Sequence, residues 1–505
     1  MIGTTIKLPG LAPDILALIA GMLAPFALSP FNIWPLGLVS LVMLICLVAN
    51  ATVMRGSLRF YWYAIGMYGV GASWIYVSVH EHGNASPLLA GFLVALLVVA
   101  WSLLTLLHGF LFMRFVRPLR YGLTLGFACA WYLREWVLTW VLTGFPWLYA
   151  GYGFMDTPLS GYIPVIGITG LGFIVVLLAA LISRALLLVN RSTALAASFI
   201  TLAIVGAGWS LTLVKYVEPT GEAISVSVVQ GNIDQGVKWK REMVGPIIDT
   251  YVGLTTAEWG RDLILWPEAA ITVFRGPATT LIDQLDQQGK TARSTLILGI
   301  PDLSEEGRFL NTAIAVGGGK GSYIKRRLVP FGEYVPLEDW LRGVIDVFDL
   351  PMARNQPGPW EQEPIKVGNL SASLSICYEV IYPEIVRRTV ANPDFFITIS
   401  NDTWFGDSIG PFQHLQMAQA RALENGRYLV RGTNNGITAI INESGEIEDR
   451  LPQFEQGVLR GNVEMMQGQT LYSSHGNLPM LVLVLTLLGG MLVIRFWHVS
   501  PILIR

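Results

Sequence analysis

Hydrophobic residues are arranged along the chain in three blocks, and these blocks predict its organisation. Residues 1–214 form nearly unbroken apolar runs, residues 215–476 mix apolar and polar positions as a soluble domain does, and residues 477–505 are apolar again. A helix needs about 20 apolar residues to cross the hydrocarbon core of a bilayer. We therefore expect a membrane domain, then a folded domain, then one C-terminal transmembrane helix.

The apolar runs predict about eight membrane spans. These lie near residues 11–29, 34–50, 58–79, 87–113, 121–142, 162–189, 193–214 and 477–497. Pro25, Pro30 and Pro35 interrupt the boundary between the first two spans, which is the least distinct of the set. The first span is followed at once by others, so we expect it to be retained rather than cleaved as a signal peptide.

Basic residues in the links between spans predict their orientation. The links after the second, fourth and sixth spans contain or adjoin Arg55, Arg59, Arg114, Arg117, Arg120, Arg184 and Arg191. The links at 80–86 and 143–162 contain no lysine or arginine. Because short cytoplasmic links carry the excess of basic residues, the first group and both termini are expected on the cytoplasmic side. The folded domain follows the seventh span and is expected outside.

Composition supports the membrane prediction and limits the partners. The chain has 505 residues, of which 52% are hydrophobic and 14% charged, and its mean hydropathy is +0.51. Soluble proteins average about 25% charged residues. The net charge of -2 argues against a nucleic-acid partner, which would require basic patches. The six histidines and three cysteines form no cluster in the sequence, so we expect neither a metal nor another cofactor.

Between the membrane blocks, short apolar runs alternate with helically spaced segments. Such alternation predicts a sheet covered by helices. Strands are expected at 223–232, 262–270, 295–303, 371–379 and 394–402, helices at 241–259, 279–292 and 411–426, and a hairpin followed by a loop at 311–336. Three glycines precede Lys320, but Gly321 follows it where a phosphate-binding loop needs serine or threonine. We therefore interpret the glycines as a hairpin turn.

Cys377 is the cysteine whose position indicates chemistry. It follows the predicted strand "SASLSI", whereas Cys46 and Cys129 lie in apolar runs. An unpaired thiol outside the cell indicates a reactive residue, although a buried, inert cysteine remains an open alternative. Histidine is the usual activating partner. The candidate inside this domain, His414, lies on a predicted helix in a setting more typical of a packed or capping side chain.

A glutamate and a lysine also follow predicted strands, and they offer another way to activate the thiol. Glu268 ends "LILWPE" and Lys325 follows "GSYI". Sites form at strand ends in open α/β sheets. A partly buried glutamate is expected to have a raised pKa and to act as a general base, and an ammonium group would stabilise the thiolate and an oxyanion. Each residue alone also fits an ordinary loop, so the combination carries the prediction.

The motifs around these residues resemble a known family. "LILWPE", "YIKRRLVPFGEYVP" and "SICYE" resemble the Glu–Lys–Cys signature of the nitrilase, or carbon–nitrogen hydrolase, superfamily. "GFPWL", "ISNDTWFGDSIGPFQHLQMAQARALENGRYLVRGTNNGI" and the flanking spans resemble the bacterial apolipoprotein N-acyltransferases. The resemblance covers almost the whole chain. It implies a polytopic α-helical membrane domain with about eight spans joined to an α/β nitrilase-like domain, an αββα sandwich.

The resemblance also implies roles for particular residues. Glu268 would be the general base, Lys325 would stabilise the oxyanion, and Cys377 would be the nucleophile. Four further positions that match residues the family uses near its site are Glu333, Tyr378, Glu379 and Trp239. Trp239 equally fits a loop aromatic packed on the core.

The family reaction implied is an acyl transfer in two steps. A phospholipid donates a fatty acyl chain to the cysteine as a thioester, and the α-amine of the N-terminal diacylglyceryl-cysteine of an apolipoprotein then accepts it, the last step of lipoprotein maturation. The resemblance implies a multi-pass protein of the bacterial inner membrane, in contact with membrane lipids, with its catalytic domain on the periplasmic side; we expect a monomer. A membrane-anchored amidase and a transporter or binding scaffold with an inert domain remain alternatives.

Two further segments have open interpretations. Residues 336–351 show an amphipathic helical pattern, which fits either a helix packed on the domain or an arm that lies on the membrane and gates lipid entry. Arg134 and Glu135 are adjacent charges inside the fifth predicted span. Neighbouring helical residues do not face each other, so each is expected to pair with another group, in a structural or a functional role.

Overall fold

A computed structural model describes residues 11–83, 85–188, 190–334 and 355–499. The chain forms two compact units. The first, the helical unit, comprises Met1–Lys215, Ser408–Gln413 and Ser474–Arg505; the second, the sandwich unit, comprises Tyr216–Asp407 and His414–Ser473. The predicted amphipathic helix at 336–351 lies outside the described residues.

The helical unit consists of apolar helices joined by short turns. Its α-helices are Ala12–Leu23, Trp34–Ala49, Val53–Gly71, Ile75–Val77, Pro87–Leu111, Leu125–Val137, Ile163–Leu188, Arg191–Thr212 and Leu478–Val499. Short 3₁₀ or π segments are Ala24–Ala27, Ser78–His82, Phe112–Val116, Val141–Thr143, Ala150–Phe154 and Pro158–Tyr162. The apolar runs of the sequence thus fold as helices, as predicted.

Several of these helices are long and apolar enough to cross a membrane. By length and composition, four described segments qualify: Pro87–Val116, Pro158–Leu188, Arg191–Thr212 and Leu478–Arg495. Two shorter apolar helices are Ala12–Ala27 and Trp34–Ala49. Leu125–Val137 has 13 residues, and Val53–Gly71 includes two arginines among many aromatic residues. The structure therefore supports several spans but does not establish the predicted count of eight.

Arg134 and Glu135, the adjacent charged residues of the fifth predicted span, form hydrogen bonds with different partners inside the helical unit. The Arg134 guanidinium donates a hydrogen bond to the Tyr68 hydroxyl at 2.8 Å. The Glu135 Oε1 accepts hydrogen bonds from the Trp131 indole at 3.0 Å and from the Ala150 amide at 2.9 Å. Both charged residues are buried. The expectation of separate partners is confirmed: Arg134 links its helix to Val53–Gly71, whereas Glu135 bonds within its own helix and to the 3₁₀ segment Ala150–Phe154.

The sandwich unit contains two sheets. Its strands are β1 (Val217–Gln230), β2 (Leu263–Leu265), β3 (Thr295–Leu303), β4 (Phe309–Gly317), β5 (Gly319–Lys320), β6 (Ser322–Ile324), β7 (Ile365–Val367), β8 (Leu370–Ile376), β9 (Phe395–Ser400), β10 (Leu429–Thr433), β11 (Thr438–Ile441), β12 (Ile447–Leu451) and β13 (Gly457–Gly468). One sheet has the order β13-β1-β2-β3-β4-β6 and the other β12-β11-β10-β9-β8-β7-β5. Strands β1, β2 and β3 are parallel, as are β8, β9 and β10.

Alternation along the strands places the two sheets face to face. Leu263 and Leu265 of β2 share a buried apolar core with Leu374 and Ile376 of β8. Ile264, between the two leucines, points to the other face and lies in a second buried core. Successive side chains of a strand point to opposite faces, so one core fills the space between the sheets and the other lies outside the six-stranded sheet.

Helices cover the outer faces. The helices that belong to the unit wholly or for the greater part of their length are Gln235–Lys238, Val244–Thr255, Thr279–Ala292, Pro383–Thr389, Gly410–Asn425 and Leu471–His475, with 3₁₀ turns at Arg241–Met243, Cys377–Ile381 and Asp402–Phe405. Tyr251 and Leu285, from two of these helices, join the outer core of the six-stranded sheet. On the second sheet, Gln419 donates a hydrogen bond to the Gly445 carbonyl, between β11 and β12, at 2.9 Å. The layers agree with the implied nitrilase-like sandwich.

The glycine run before Lys320 forms a turn, as predicted, and also links the two sheets. Strands β4 and β6 pair as a hairpin, while β5 between them pairs with β7 of the other sheet. A Cβ at Gly319 would overlap the Lys366 carbonyl oxygen. A side chain at that position would therefore clash with the backbone of the neighbouring strand, which explains the glycine.

Candidate active site

Three strand ends bring the predicted glutamate, lysine and cysteine together. Glu268 follows β2, while Lys325 and Cys377 come directly after β6 and β8. The Lys325 ammonium donates a hydrogen bond to the Glu268 Oε1 at 3.2 Å, and the charges of both groups act on the Cys377 thiol. The three side chains are almost fully buried, so their mutual electrostatic effects are weakly screened by water.

A second carboxylate and an amide complete one side of this cluster. The Lys325 ammonium also donates to the Glu333 Oε1 at 2.9 Å. Asn311, on β4, donates from its amide nitrogen to the Glu268 Oε1 at 2.7 Å and to the Glu333 Oε1 at 3.1 Å. The two carboxylates therefore share two donors. Asn311 was not predicted, because nothing in the strand "FLNTAIAVG" distinguishes it from an ordinary polar residue.

The other atoms of Glu268 are held by two further residues that the sequence analysis missed. The Asn401 backbone amide donates to the Glu268 Oε2 at 2.8 Å. The Lys238 ammonium donates to the Glu268 backbone carbonyl at 3.3 Å. Lys238 is wholly buried; its burial lowers its pKa to about 8, although the Glu268 carboxylate opposes this shift. The available signal was its position next to Trp239 in "VKWK".

Backbone strain marks the cysteine. Cys377 has a φ of +52° and Ala269, next to the glutamate, has a φ of +47°. Residues other than glycine rarely adopt this left-handed backbone conformation, and such backbone strain concentrates at functional sites. Cys377 directly follows β8 and is the first residue of the 3₁₀ turn Cys377–Ile381, with 8% of its surface exposed.

Glu379 joins the two strand ends that carry the lysine and the cysteine. Its Oε1 accepts a hydrogen bond from the Arg326 amide, directly after Lys325, at 2.7 Å. Its Oε2 accepts one from the Ile376 amide, directly before Cys377, also at 2.7 Å. Burial raises the pKa of Glu379, while these amides favour its charged form. The carboxylate thus fixes the spacing between the lysine and cysteine backbones.

Two other predicted residues lie at the edge of this arrangement. Tyr378 is buried and packs edge-on against Tyr382, with ring centroids 5.4 Å apart. Trp239 directly follows the helix Gln235–Lys238, and its surface is 38% exposed. The preceding residue, Lys238, is the one that bonds to Glu268. The tryptophan is therefore adjacent in sequence to a residue of the site, and its surface is partly exposed to solvent.

The charges of the glutamate and the lysine stabilise each other. Burial alone raises the pKa of Glu268, but the Lys325 ammonium, with the hydrogen bonds from Asn311 and Asn401, outweighs burial and holds that pKa below its usual value. Burial lowers the pKa of Lys325, but the two carboxylates, Glu268 and Glu333, raise it well above its usual value. The expectation of a raised glutamate pKa is therefore wrong: near neutral pH this residue is an anion.

The cysteine behaves in the opposite way. Burial and then the Glu268 charge raise the pKa of the Cys377 thiol, and the Lys325 ammonium only partly opposes them. The resting group is therefore a protonated thiol beside an ionised carboxylate and an ammonium. Such a set can pass the thiol proton to the carboxylate as the sulfur attacks a carbonyl carbon, while the ammonium stabilises the oxyanion.

Replacing Glu379 by glutamine is expected to disturb both strand ends. The amide nitrogen of glutamine cannot accept a hydrogen bond, so one backbone N–H would lose its partner, at a cost of about 1–3 kcal/mol. We expect a lower midpoint of thermal unfolding and slower alkylation of Cys377 by iodoacetamide, followed by peptide mass spectrometry. The matched control is Glu446→Gln at an exposed turn; equal Cys377 reactivity in both variants would contradict the assigned position of Glu379.

Comparisons with known proteins agree with both units. Residues 20–181 match the apolipoprotein N-acyltransferase N-terminal domain, and residues 225–471 match the carbon–nitrogen hydrolase family. Among solved structures, part of this chain is similar to a mutant of the Nesterenkonia AN1 amidase from the nitrilase superfamily, with 20% identity, coverage of 52% of this chain and 97% of that chain, and a TM-score of 0.36. A carbon–nitrogen hydrolase from Helicobacter pylori matches with 14% identity, coverage of 48% and 89%, and a TM-score of 0.34.

Curated relatives match over nearly the whole length. The apolipoprotein N-acyltransferase of Pseudomonas paraeruginosa is 41% identical, covering 94% of each chain. That of Azotobacter vinelandii is 41% identical, covering 96% of each chain, and that of Photobacterium profundum is 35% identical, covering 92% of each. With both halves matched and the identity sustained end to end, the chain belongs to the apolipoprotein N-acyltransferase family.

Proposed function

We propose that this chain N-acylates lipoproteins by moving a fatty acyl chain from a phospholipid, through a thioester on Cys377, to the N-terminal diacylglyceryl-cysteine. The observation that carries the proposal is the contact between the Lys325 ammonium and the Glu268 carboxylate, 3.2 Å apart, with both charges acting on one buried thiol. Glu333, Tyr378, Glu379 and Trp239 are proposed as supporting residues.

The first step forms the thioester. Glu268 takes the thiol proton of Cys377 while the sulfur attacks the carbonyl carbon of the phospholipid ester. The Lys325 ammonium stabilises the resulting oxyanion. When the tetrahedral intermediate collapses, the ester C–O bond breaks and the proton held by Glu268 passes to the departing oxygen, which releases a lysophospholipid.

The second step transfers the acyl chain. The α-amine of the lipoprotein attacks the thioester carbonyl and forms a C–N bond. The C–S bond then breaks, the amine loses its proton to Glu268, and that proton returns to the sulfur of Cys377. Dividing the reaction in this way replaces one difficult displacement with two easier ones through an activated intermediate.

A membrane location fits two lipid substrates. We propose eight crossings, with a membrane domain at 1–214, the catalytic domain at 215–476 and a final crossing at 477–505. We further propose a monomer in the bacterial inner membrane with the catalytic domain on the periplasmic side. The apolar helices and the arginines confined to alternate links support this arrangement.

Intact-protein mass spectrometry tests the proposal. The full chain in detergent is incubated with phospholipid alone, and an added mass of one acyl chain is expected. The adduct should disappear when a diacylglyceryl lipopeptide is added, with the same acyl mass gained by the peptide, and Cys377→Ser should form no thioester. Discharge to water without an acylated peptide would favour a hydrolase such as the membrane-anchored amidase, and full activity in Cys377→Ser would refute the thioester.

A further inference from the structure

A buried histidine contacts the backbone of the cysteine rather than its sulfur. The His414 Nε2 lies 3.2 Å from the Cys377 carbonyl oxygen. A carbonyl oxygen has no proton to give, so Nε2 carries the hydrogen and donates it. His414 is wholly buried. Burial and the charge of Arg431 hold the pKa of this imidazole below its usual value, although the Asp402 carboxylate opposes them.

The other ring nitrogen faces a buried ion pair. The His414 Nδ1 lies 3.0 Å from the Arg431 Nη2, which can donate to it, and 3.1 Å from the Asp402 Oδ1. The same Arg431 nitrogen donates to the Asp402 Oδ2 at 2.6 Å, and the Ser400 hydroxyl donates to the Asp402 Oδ1 at 2.6 Å. The side chains of Asp402, His414 and Arg431 have almost no exposed surface. Their contacts fix the ring orientation of the histidine.

The segment that follows β9 touches both the base and, through the histidine, the nucleophile. Asn401 donates its backbone amide to the Glu268 carboxylate at 2.8 Å. The next residue, Asp402, accepts a hydrogen bond from the Arg431 Nη2, which also donates to the His414 Nδ1. The Nε2 of the same ring donates to the Cys377 carbonyl. One short stretch of backbone therefore sets the distance between the glutamate oxygen and the cysteine main chain.

This connection matters because of the backbone conformation of the cysteine. With a φ of +52°, Cys377 occupies a region that non-glycine residues leave unless the surroundings hold them there. The hydrogen bond from His414 holds the peptide that follows the cysteine. If it were lost, the turn could relax and move the sulfur away from the glutamate, and a displacement of about 1 Å can cost about a hundredfold in rate.

We propose that Asp402, His414 and Arg431 form a positioning network that holds the strained Cys377 backbone in register with Glu268. The network acts through the main chain and exchanges no proton with the substrate. The inference rests on the proposed role of Cys377 as nucleophile, and it assigns to the histidine a function that the sequence analysis did not.

The test compares His414→Leu with His414→Gln in the full chain. Leucine removes the donor, whereas the glutamine amide nitrogen can reach the position of Nε2 and donate to the same carbonyl. Two quantities are measured: kcat and KM for acyl transfer to a lipopeptide, and the rate at which iodoacetamide alkylates Cys377, by peptide mass spectrometry. We expect the leucine variant to lose about a hundredfold in kcat with KM within about twofold, and glutamine to restore at least a tenth of the kcat.

A matched control separates positioning from stability. Arg421 and Glu424 form another wholly buried ion pair, 2.8 Å apart, on the helix Gly410–Asn425 that also carries His414. Glu424→Gln should lower the unfolding midpoint but keep the kcat and the Cys377 alkylation rate. If His414→Leu does not fold, His414→Asn replaces it, because its shorter side chain does not reach the carbonyl.

Three outcomes would overturn the proposal: unchanged kcat in a folded His414→Leu or His414→Asn variant, no rescue by glutamine, or the same losses in Glu424→Gln. Failure of the proposed function would look different. In that case Cys377→Ser would still transfer the acyl chain, whereas the alkylation rates would continue to report the position of the thiol.

Discussion

Replacing Glu268 by glutamine is expected to slow thioester formation about a thousandfold. The glutamine amide has no basic site for the thiol proton, and general-base catalysis contributes about 10²–10⁴-fold. The charge of Glu268 is lost in this variant, but burial, the larger cause, still raises the pKa of the Cys377 thiol and leaves little thiolate at neutral pH. Burst-phase measurement of the acyl adduct, by rapid quench and intact mass spectrometry, gives the rate directly.

The pH dependence of the rate of thioester formation, compared between the native protein and Glu268→Gln, provides the control. In the native protein the pKa of Glu268 is held below its usual value, so the rate should stay level around neutral pH and fall only in acid, as the carboxylate gains a proton. In Glu268→Gln the residual rate should instead rise with pH, because hydroxide must generate the thiolate. A variant with native rate, or with a level profile around neutral pH, would show that Glu268 is not the base.

Replacing Lys325 by methionine is expected to abolish measurable acyl transfer and to destabilise the sandwich unit. The buried Glu268 carboxylate and the partly buried Glu333 carboxylate would lose the ammonium that lies 3.2 Å and 2.9 Å from them. Removing one partner of a buried pair typically costs about 3–5 kcal/mol, and loss of one oxyanion donor costs about 10²–10³-fold in kcat. The pKa of Glu268 should rise, which also removes the base.

The control for this variant is Lys290→Met. Lys290 forms an ion pair with Asp286 on the surface, and 59% of its side chain is exposed. Such pairs contribute about 0–1 kcal/mol, so the unfolding midpoint and the kcat should hardly change. Thermal unfolding in detergent and steady-state acylation assays compare the two. Native kcat in Lys325→Met would contradict its role at the oxyanion, whatever the effect on stability.

Much of the sandwich unit could be predicted from the pattern of apolar residues. The predicted helix at 279–292 and strand at 295–303 have the same bounds as Thr279–Ala292 and β3. In each segment the apolar residues follow a clear helical or strand pattern, and the pattern stops abruptly at both ends. Strand β2 is shorter than its predicted segment, since Pro267 cannot donate to the ladder and Ala269 adopts a left-handed conformation.

The parts of the site that escaped prediction depend on contacts between distant segments. Asn311 is 43 residues from Glu268, and Lys238 is 30 residues away. Nothing local marks Asn311, and the signal available for Lys238 was its neighbour Trp239. The direction of the Glu268 pKa shift was missed for a related reason. Burial was evident from the strand pattern and Lys325 was expected nearby, but its direct contact with the carboxylate and the donors Asn311 and Asn401 became apparent only in three dimensions.

The cluster contains two carboxylates, from the buried Glu268 and the partly buried Glu333, and two ammonium groups, from Lys325 and Lys238, so its positive and negative groups are equal in number. When the thiol proton moves to Glu268, negative charge shifts from oxygen to sulfur and none is created. The protein interior therefore never has to accommodate a net ion during activation. Salt in the surrounding solution should accordingly have little influence on the chemical step, even though every participant is charged or becomes so.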